Sequence, residues 1–263
     1  MKSTGSFLII GPPITGKTRS LGTLPGRTIL FNWELEGYLA LRVPYVVCKS
    51  LRDFWKEGRE LKQTTPGVRP TEVIVVDYLV RPGSISEMKE VQLDRNHFLN
   101  FIKDANSLPE HLEEFDYIGA DSLGPFATEA LDFIIALNGR NTPQIQDYRD
   151  AIKKIMEVLF RIQGLGKPLI MLAHFQTERD EISGKGRQVP QVWGKDLPQN
   201  VLKWFSTILQ SIAIPDGKGG TSYLWKTKPE GLVESLGGRP PFADNLPATI
   251  PQDFKALFER IPK

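Results

Sequence analysis

The chain has a single cysteine, Cys48, so it can close no internal disulfide and offers no cysteine-rich metal site. That scarcity suits a reducing cytoplasm. Its three histidines, His97, His111 and His174, stand far apart and show no metal-ligand spacing. No apolar run approaches the roughly 18 residues of a membrane span. The apolar run in "MKSTGSFLIIG" is too short for a secretory signal. An excess of one charge is also missing. With a formal net charge of +2 there is no global field for nucleic acid, and a local patch must hold any such partner. What remains is an ordinary soluble composition, 40% apolar and 24% charged over 263 residues, enough for one large core and consistent with a cytoplasmic protein.

Short apolar, β-branched runs alternate with helical periodicity along the chain. Strands are expected at 6–10, 27–34, 45–49, 71–80, 116–122 and 167–175, and a hairpin at 204–214 and 221–228 around "PDGKGG". Helices are expected after the first loop, at 51–62, about 92–114, 124–139 and 142–166, the last with Thr142 as N-cap and Pro143 at its first position. A further short helix closes the chain near Phe254–Arg260. The stretch 176–198 is polar, basic and glycine-punctuated and reads as a mobile loop. This order predicts an α/β fold with a mostly parallel central sheet flanked by helices and a C-terminal edge hairpin.

The stretch "IIGPPITGKTRS" carries the clearest chemistry. Gly11 and Gly16-Lys17-Thr18 have the spacing of a phosphate-binding loop, between a strand and a helix. Glycine permits backbone conformations that turn amide hydrogens inward around an anion. Pro12 and Pro13 lack an N–H, so the cradle comes from Ile14, Thr15, Gly16, Lys17 and Thr18, with Arg19 next in the helix. Lys17 would reach the β- and γ-phosphates of ATP, and the Thr18 hydroxyl would hold Mg²⁺.

Mg²⁺ also calls for a carboxylate at the end of a neighbouring strand. Asp121, ending "YIGAD" and followed by Ser122, is preferred; Asp77, ending "VIVVD", is the alternative, with a strand-terminal charge in an inserted hairpin as its plain explanation. Hydrolysis needs a base to orient water. In "FNWELEG" strand alternation would aim Glu34 and Glu36 to the same side. Glu36 is the preferred base, and Glu34 a helper or a solvated charge. His174 and Gln176 end the strand at 167–175 and are candidate γ-phosphate sensors; a hydrogen-bonded histidine at a strand end is the plainer reading of His174.

Glycine loop, "WELEG", "ADS", "LAHFQ", "VPQVWGKDLP", "YLWKTKPEG" and "GGRPPFADNLPATIPQDF" follow one another in the order of phage RecA-like ATPases. Over most of 6–255 the chain resembles the phage nucleotide-binding proteins of the single-strand annealing type, reduced relatives of the RecA recombinases. The resemblance implies a single RecA-like P-loop ATPase domain over 1–263, with an insertion around 64–115. It also implies ATP and Mg²⁺, a ring or filament of identical subunits, and action on single-stranded DNA, with a single-strand-binding protein as a further partner. Residue by residue it implies Lys17 and Thr18 for phosphate and metal, Asp121 for the metal shell, Glu36 for water, and His174 and Gln176 for coupling to DNA loops. Glu34 departs from it, standing where that family usually has Asp.

Two loops suit a single strand. "NGRNTPQ" carries Arg140, and the loop after Gln176 carries Arg179, Lys185, Arg187, Trp193 and Lys195, cations for phosphates and a ring for a base. Glu178, Asp180, Glu181 and Asp196 offset that charge, and a solvated loop would look much the same. Lys226 and Lys228 share one face of an edge strand. In RecA-like assemblies such a pair meets the γ-phosphate of the next subunit; Arg239 competes for that role, and protection of a sheet edge is the plainer one. Three other functions remain open: an ATP-dependent annealing module with little turnover, a AAA+-type motor, and a small-molecule kinase. A AAA+ motor normally has Asp-Glu where this chain has Asp121-Ser122, and no kinase lid is evident.

Overall fold

The structure is a computed structural model that describes residues 5–35, 37–56, 72–78, 97–179, 186–230, 232, 236–238 and 246–260. Its parallel strands are β1 (Ser6–Ile10), β2 (Arg27–Asn32), β3 (Tyr45–Cys48), β4 (Glu72–Asp77), β5 (Tyr117–Asp121), β6 (Leu169–Ala173) and β9 (Thr207–Pro215). Between β6 and β9 lie β7 (Phe175–Arg179) and β8 (Gly186–Pro190); β10 (Thr221–Lys226), β11 (Gly237–Gly238) and β12 (Thr249–Pro251) follow β9. The main sheet runs β12-β10-β9-β1-β6-β5-β2-β4-β3, with β11 on β9. Strands β9 through β3 pair in parallel, and β10, β11 and β12 add antiparallel at one end.

Alternation along the strands splits the core between two faces. Phe7 and Ile9 of β1 join Leu30, Val75, Leu172 and Leu209 on one side, while Leu8 and Ile10 join Phe31, Val76, Met171 and Ile208 on the other. Both faces must therefore be covered, as parallel sheets require. Helices α3 (His97–Ser107), α4 (Leu123–Leu137) and α5 (Ile145–Gln163) cover the second face through Phe101, Phe126 and Leu159. The first face packs on Leu21 of α1 (Lys17–Leu21) and on Phe254 and Leu257 of α7 (Phe254–Glu259). Each such side chain contributes about 1.5–3 kcal/mol of burial. Helices α2 (Leu51–Lys56) and α6 (Leu197–Leu202) are short, six residues each. No helix among the described residues is long and apolar enough to cross a membrane.

Three expectations change. The helix expected from Thr142 begins at Ile145: Gln144 is its N-cap in a reciprocal capping box with Asp147, and Ile145 is left 84% exposed. The stretch read as a mobile loop holds the antiparallel ribbon β7–β8, in register from Phe175↔Pro190 to Arg179↔Gly186, and then α6. Strand β2 stops at Asn32, so alternation does not carry through to Glu34 and Glu36. Of the region 64–115, β4 and α3 are core elements, while 64–71 and 79–96 lie outside the described residues, as do 57–62 of the helix expected at 51–62.

Candidate active site

Strand order builds the site. The chain leaves β1 for β2, three positions away, and crosses from β6 over β1 to β9, so β1 lies where the direction of winding reverses. Crevices at such points, beyond the carboxyl ends of the strands, are where α/β sheets bind ligands. The phosphate loop leaves β1 here. Gly11 packs so closely that a Cβ would come 2.6 Å from the Ser211 carbonyl, and its N–H donates to Ala173 O at 3.1 Å. Gly16 sits at φ 84°, where a side chain would strike Tyr223 and Gln252. Ile14 also has positive φ, 64°, and is 91% exposed.

Lys17 is buried under its loop. Its ammonium donates to the carbonyls of Gly11 at 3.1 Å and Pro12 at 2.8 Å and lies 3.3 Å from His174 Nδ1. Burial lowers its pKa to about 8 against the pull of Asp121 and Glu34. The Thr18 hydroxyl donates to Asp121 Oδ2 at 2.6 Å. Asp121 is itself buried, which pushes its carboxyl up to about 6, partly offset by the Thr18 bond. Asp77 stands level with Asp121 across Asn32, but β2, β5 and β6 separate its strand from β1. The fold thus puts Asp121, not Asp77, against the phosphate loop.

Glu34 enters from β2. Asn32 clamps its backbone, donating from Nδ2 to Glu34 O at 2.7 Å and accepting Glu34 N–H at 3.4 Å. The Trp33 N–H donates to Asp121 O at 2.5 Å, and its ring is stacked on Tyr78 within an aromatic cluster. Gripped on both sides, Glu34 turns its carboxylate to Ser122, whose hydroxyl donates to it, and to His174 Nε2 at 3.5 Å. The His174 bond, then the Ser122 bond, hold the Glu34 carboxyl below the ordinary range against the opposing effect of burial. The peptide bond joining Asp121 to Ser122 is cis. Lys17 thus faces His174 Nδ1 while the Glu34 carboxylate faces Nε2, so the ring bridges the two.

Glu36 lies outside the described residues. Gln176 sits in β7 and donates to Val192 O at 3.4 Å. A cleft of about 580 Å³ runs from Glu34 and His174 past Gly124 and Glu129 to Gln176, Gln191 and Trp193. Its walls include the Glu34–His174 pair and, at Gln176, the strand β7. Arg19 is exposed and lies 4.8 Å from the centre of the Tyr223 ring.

The basic residues expected on DNA have varied surroundings. Arg140 is bound at 2.6 Å to the buried carboxylate of Asp147, which Asn138 also holds. Arg187 pairs with Glu178 across the ribbon at 3.0 Å. Trp193 donates to Ala127 O at 2.8 Å and meets Tyr148 edge-on. Arg179 and Lys195 are exposed, and Lys185 and Arg239 fall outside the described residues. Lys226 reaches Glu230 at 2.6 Å, and Lys228 is exposed.

Asn32 and Gly37 escaped the sequence reading. A buried Asn within an apolar run was the available signal for the first. At Gly37 a Cβ would lie 3.3 Å from Asp121 Oδ2, so glycine keeps the space beside that oxygen open. Mg²⁺ takes hard oxygen donors and keeps several waters and phosphate oxygens of its own. The Thr18 hydroxyl and the Asp121 carboxylate, with that space, fit it. No group of three or more His, Cys, Asp or Glu among the described residues could hold a metal without a ligand's help.

A parallel sheet whose first strand ends in a phosphate loop, with a Thr–Asp pair beside it, defines a nucleotide-binding P-loop ATPase. A family model described as an AAA domain matches residues 4–234, and the chain belongs to that family. Among curated proteins no sequence matches. Among solved structures the chain is similar to a KaiC-like protein from the hyperthermophilic archaeon Pyrococcus horikoshii OT3, at 11% identity and a TM-score of 0.42 over 85% of this chain and 79% of that one.

Proposed function

We propose that the protein hydrolyses ATP and acts on single-stranded DNA in phage recombination or strand annealing, in the cytoplasm, as a ring or filament of identical subunits. One observation carries the reading. His174 touches both Lys17 and Glu34, and the next residue opens the β7–β8 ribbon. A change at the terminal phosphate thus has a single-residue connection to a strand pair bearing Arg179 and Arg187.

The Ile14–Thr18 amides and Lys17 bind and orient the triphosphate. Thr18 and Asp121 would hold Mg²⁺, which when bound neutralises charge on the phosphate oxygens. Glu34, kept ionised by His174 and Ser122, accepts a proton from the water that attacks the terminal phosphorus. Lys17 stabilises charge on the transferred group. Between subunits Lys226 and Lys228 supply further positive charge once Lys226 leaves Glu230, and a single-strand-binding protein delivers the DNA.

Steady-state ATPase assays with and without oligo(dT), alongside fluorescence anisotropy, test this. Oligo(dT) should bind and raise the rate several-fold. An ATPase rate indifferent to DNA, with no binding, rejects the DNA half. It would support a second reading, an AAA-type motor, which the family match favours. In that case the carboxylate usually found after the strand-end Asp is supplied by Glu34 through Ser122.

A further inference from the structure

The Thr15 carbonyl at the heart of the phosphate loop is held from below by two residues far along the chain. Ser211 Oγ, on β9, donates to it at 2.8 Å, and Gln252 Nε2, just beyond β12, donates to it at 2.9 Å. Gln252 is 9% exposed as a residue, and its side-chain amide is tightly constrained. Its Nε2 also lies 2.6 Å from Ser211 Oγ and 2.9 Å from Leu224 O, and its backbone N–H donates to Tyr223 O. Rotating the amide would point its oxygen at these acceptors, so the orientation is fixed. Its Oε1 is buried with no partner and lies 2.8 Å from where a Gly16 Cβ would be. Two residues on, the Phe254 N–H donates to Thr23 Oγ1 just past the C-cap of α1, so residues 252–254 contact the chain both within the loop and beyond the helix.

A trans peptide is planar, with its C=O and N–H pointing in opposite directions. Anchoring Thr15 O against β9 and the C-terminal segment therefore turns the Gly16 N–H the other way, toward the anion nest. We infer that Gln252 and Ser211 are positioning residues: they lock the Thr15–Gly16 peptide with its N–H presented to the β-phosphate of a bound nucleotide, which makes the C-terminal segment part of the nucleotide site. The inference rests on the nucleotide-binding reading. It accounts for a buried amide that leaves one oxygen unsatisfied, an arrangement folded proteins seldom keep without a task.

The test is calorimetric titration of ADP, ATP and AMP into the full chain and its Gln252→Ala and Ser211→Ala variants. Losing one of two bonds to the same carbonyl should weaken ADP and ATP by about tenfold or somewhat less. AMP, which lacks the β-phosphate, should keep its affinity, and the double variant should lose less than the product of the single losses. Equal weakening of ADP and AMP, or unchanged ADP affinity, overturns the inference. Should Gln252→Ala not fold, the ADP-to-AMP ratio in Ser211→Ala decides between the same outcomes. A wild-type chain that binds neither ADP nor ATP overturns the nucleotide reading and the inference together, a result distinct from a loss confined to the variants.

Discussion

The hydroxyl of Thr18 and the carboxylate of Asp121, 103 residues apart in the chain, meet at 2.6 Å beside the phosphate loop. Thr18→Ala and Asp121→Asn should therefore weaken ATP binding in the presence of Mg²⁺ by about 10–100-fold. The same titrations in EDTA should show little change. Equal losses with and without the metal would remove Mg²⁺ from this pair.

Glu34 and Glu36 make different predictions. Glu34 touches His174 and Ser122, so Glu34→Gln should lower kcat by about 10²–10⁴-fold with little change in nucleotide affinity. Glu36→Gln run beside it measures the base expected from the sequence. A full loss in Glu36→Gln with normal turnover in Glu34→Gln would return the role to Glu36.

Acid should separate two properties of Asp121. Its carboxyl stands at about 6 in the fold against an ordinary 3.8, because burial disfavours the charge. The native state thus binds this proton more tightly than the unfolded chain. The resulting stability is present in full below about pH 4 and lost as pH rises through about 6. Relative to Asp121→Asn, wild type should lose on the order of 3 kcal/mol over that window in urea denaturation. Mg²⁺-dependent ATP binding should move the opposite way and strengthen over the same window, since the metal needs the ionised carboxylate. Lys17, lowered to about 8, remains cationic throughout.

Arg140 and Arg187 should part company. Arg140 neutralises the buried carboxylate of Asp147 at the start of α5, so Arg140→Ala should lower Tm by about 2–6 °C and leave oligo(dT) affinity unchanged. Charge reversal of Arg187 together with Lys185 should weaken oligo(dT) binding and flatten its salt dependence. Anisotropy titrations over a range of salt give both answers; unchanged binding after charge reversal would take DNA off the ribbon.

Ile14 is a β-branched residue held at φ 64°. That backbone costs such a residue about 1–2 kcal/mol, while glycine's extra freedom in the unfolded chain costs about 0.5–1 kcal/mol. Ile14→Gly should therefore raise Tm slightly, by about 2 °C. A fall would show that the Ile14 side chain makes a contact worth more than its strain.

Much of the parallel core was legible because fully buried strands are short and continuously apolar: "SFLII", "VIVVD" and "LIMLA" each mark a strand. The β7–β8 ribbon was not legible, since "FQTER" and "GRQVP" are half-exposed and polar, and their pairing with each other, with Gln188 N–H donating to Leu232 O, stabilises them. The α5 start was misplaced because Thr142-Pro143 has good capping chemistry, yet Asp147, which accepts from Asn138, Arg140 and the Gln144 N–H, sets the cap two residues on.

By itself the sequence determined the phosphate loop. Its function resides in backbone torsions and one lysine, and Gly11, Gly16 and Lys17 encode both locally. Tertiary structure alone decided which carboxylates and which amides serve that loop. Strand order brings in Asp121 rather than Asp77, Ser122 and His174 meet the Glu34 carboxylate, and Ser211 with Gln252 steadies Thr15 from far along the chain. Those choices depend on contacts between residues tens to hundreds of positions apart, which no local pattern records.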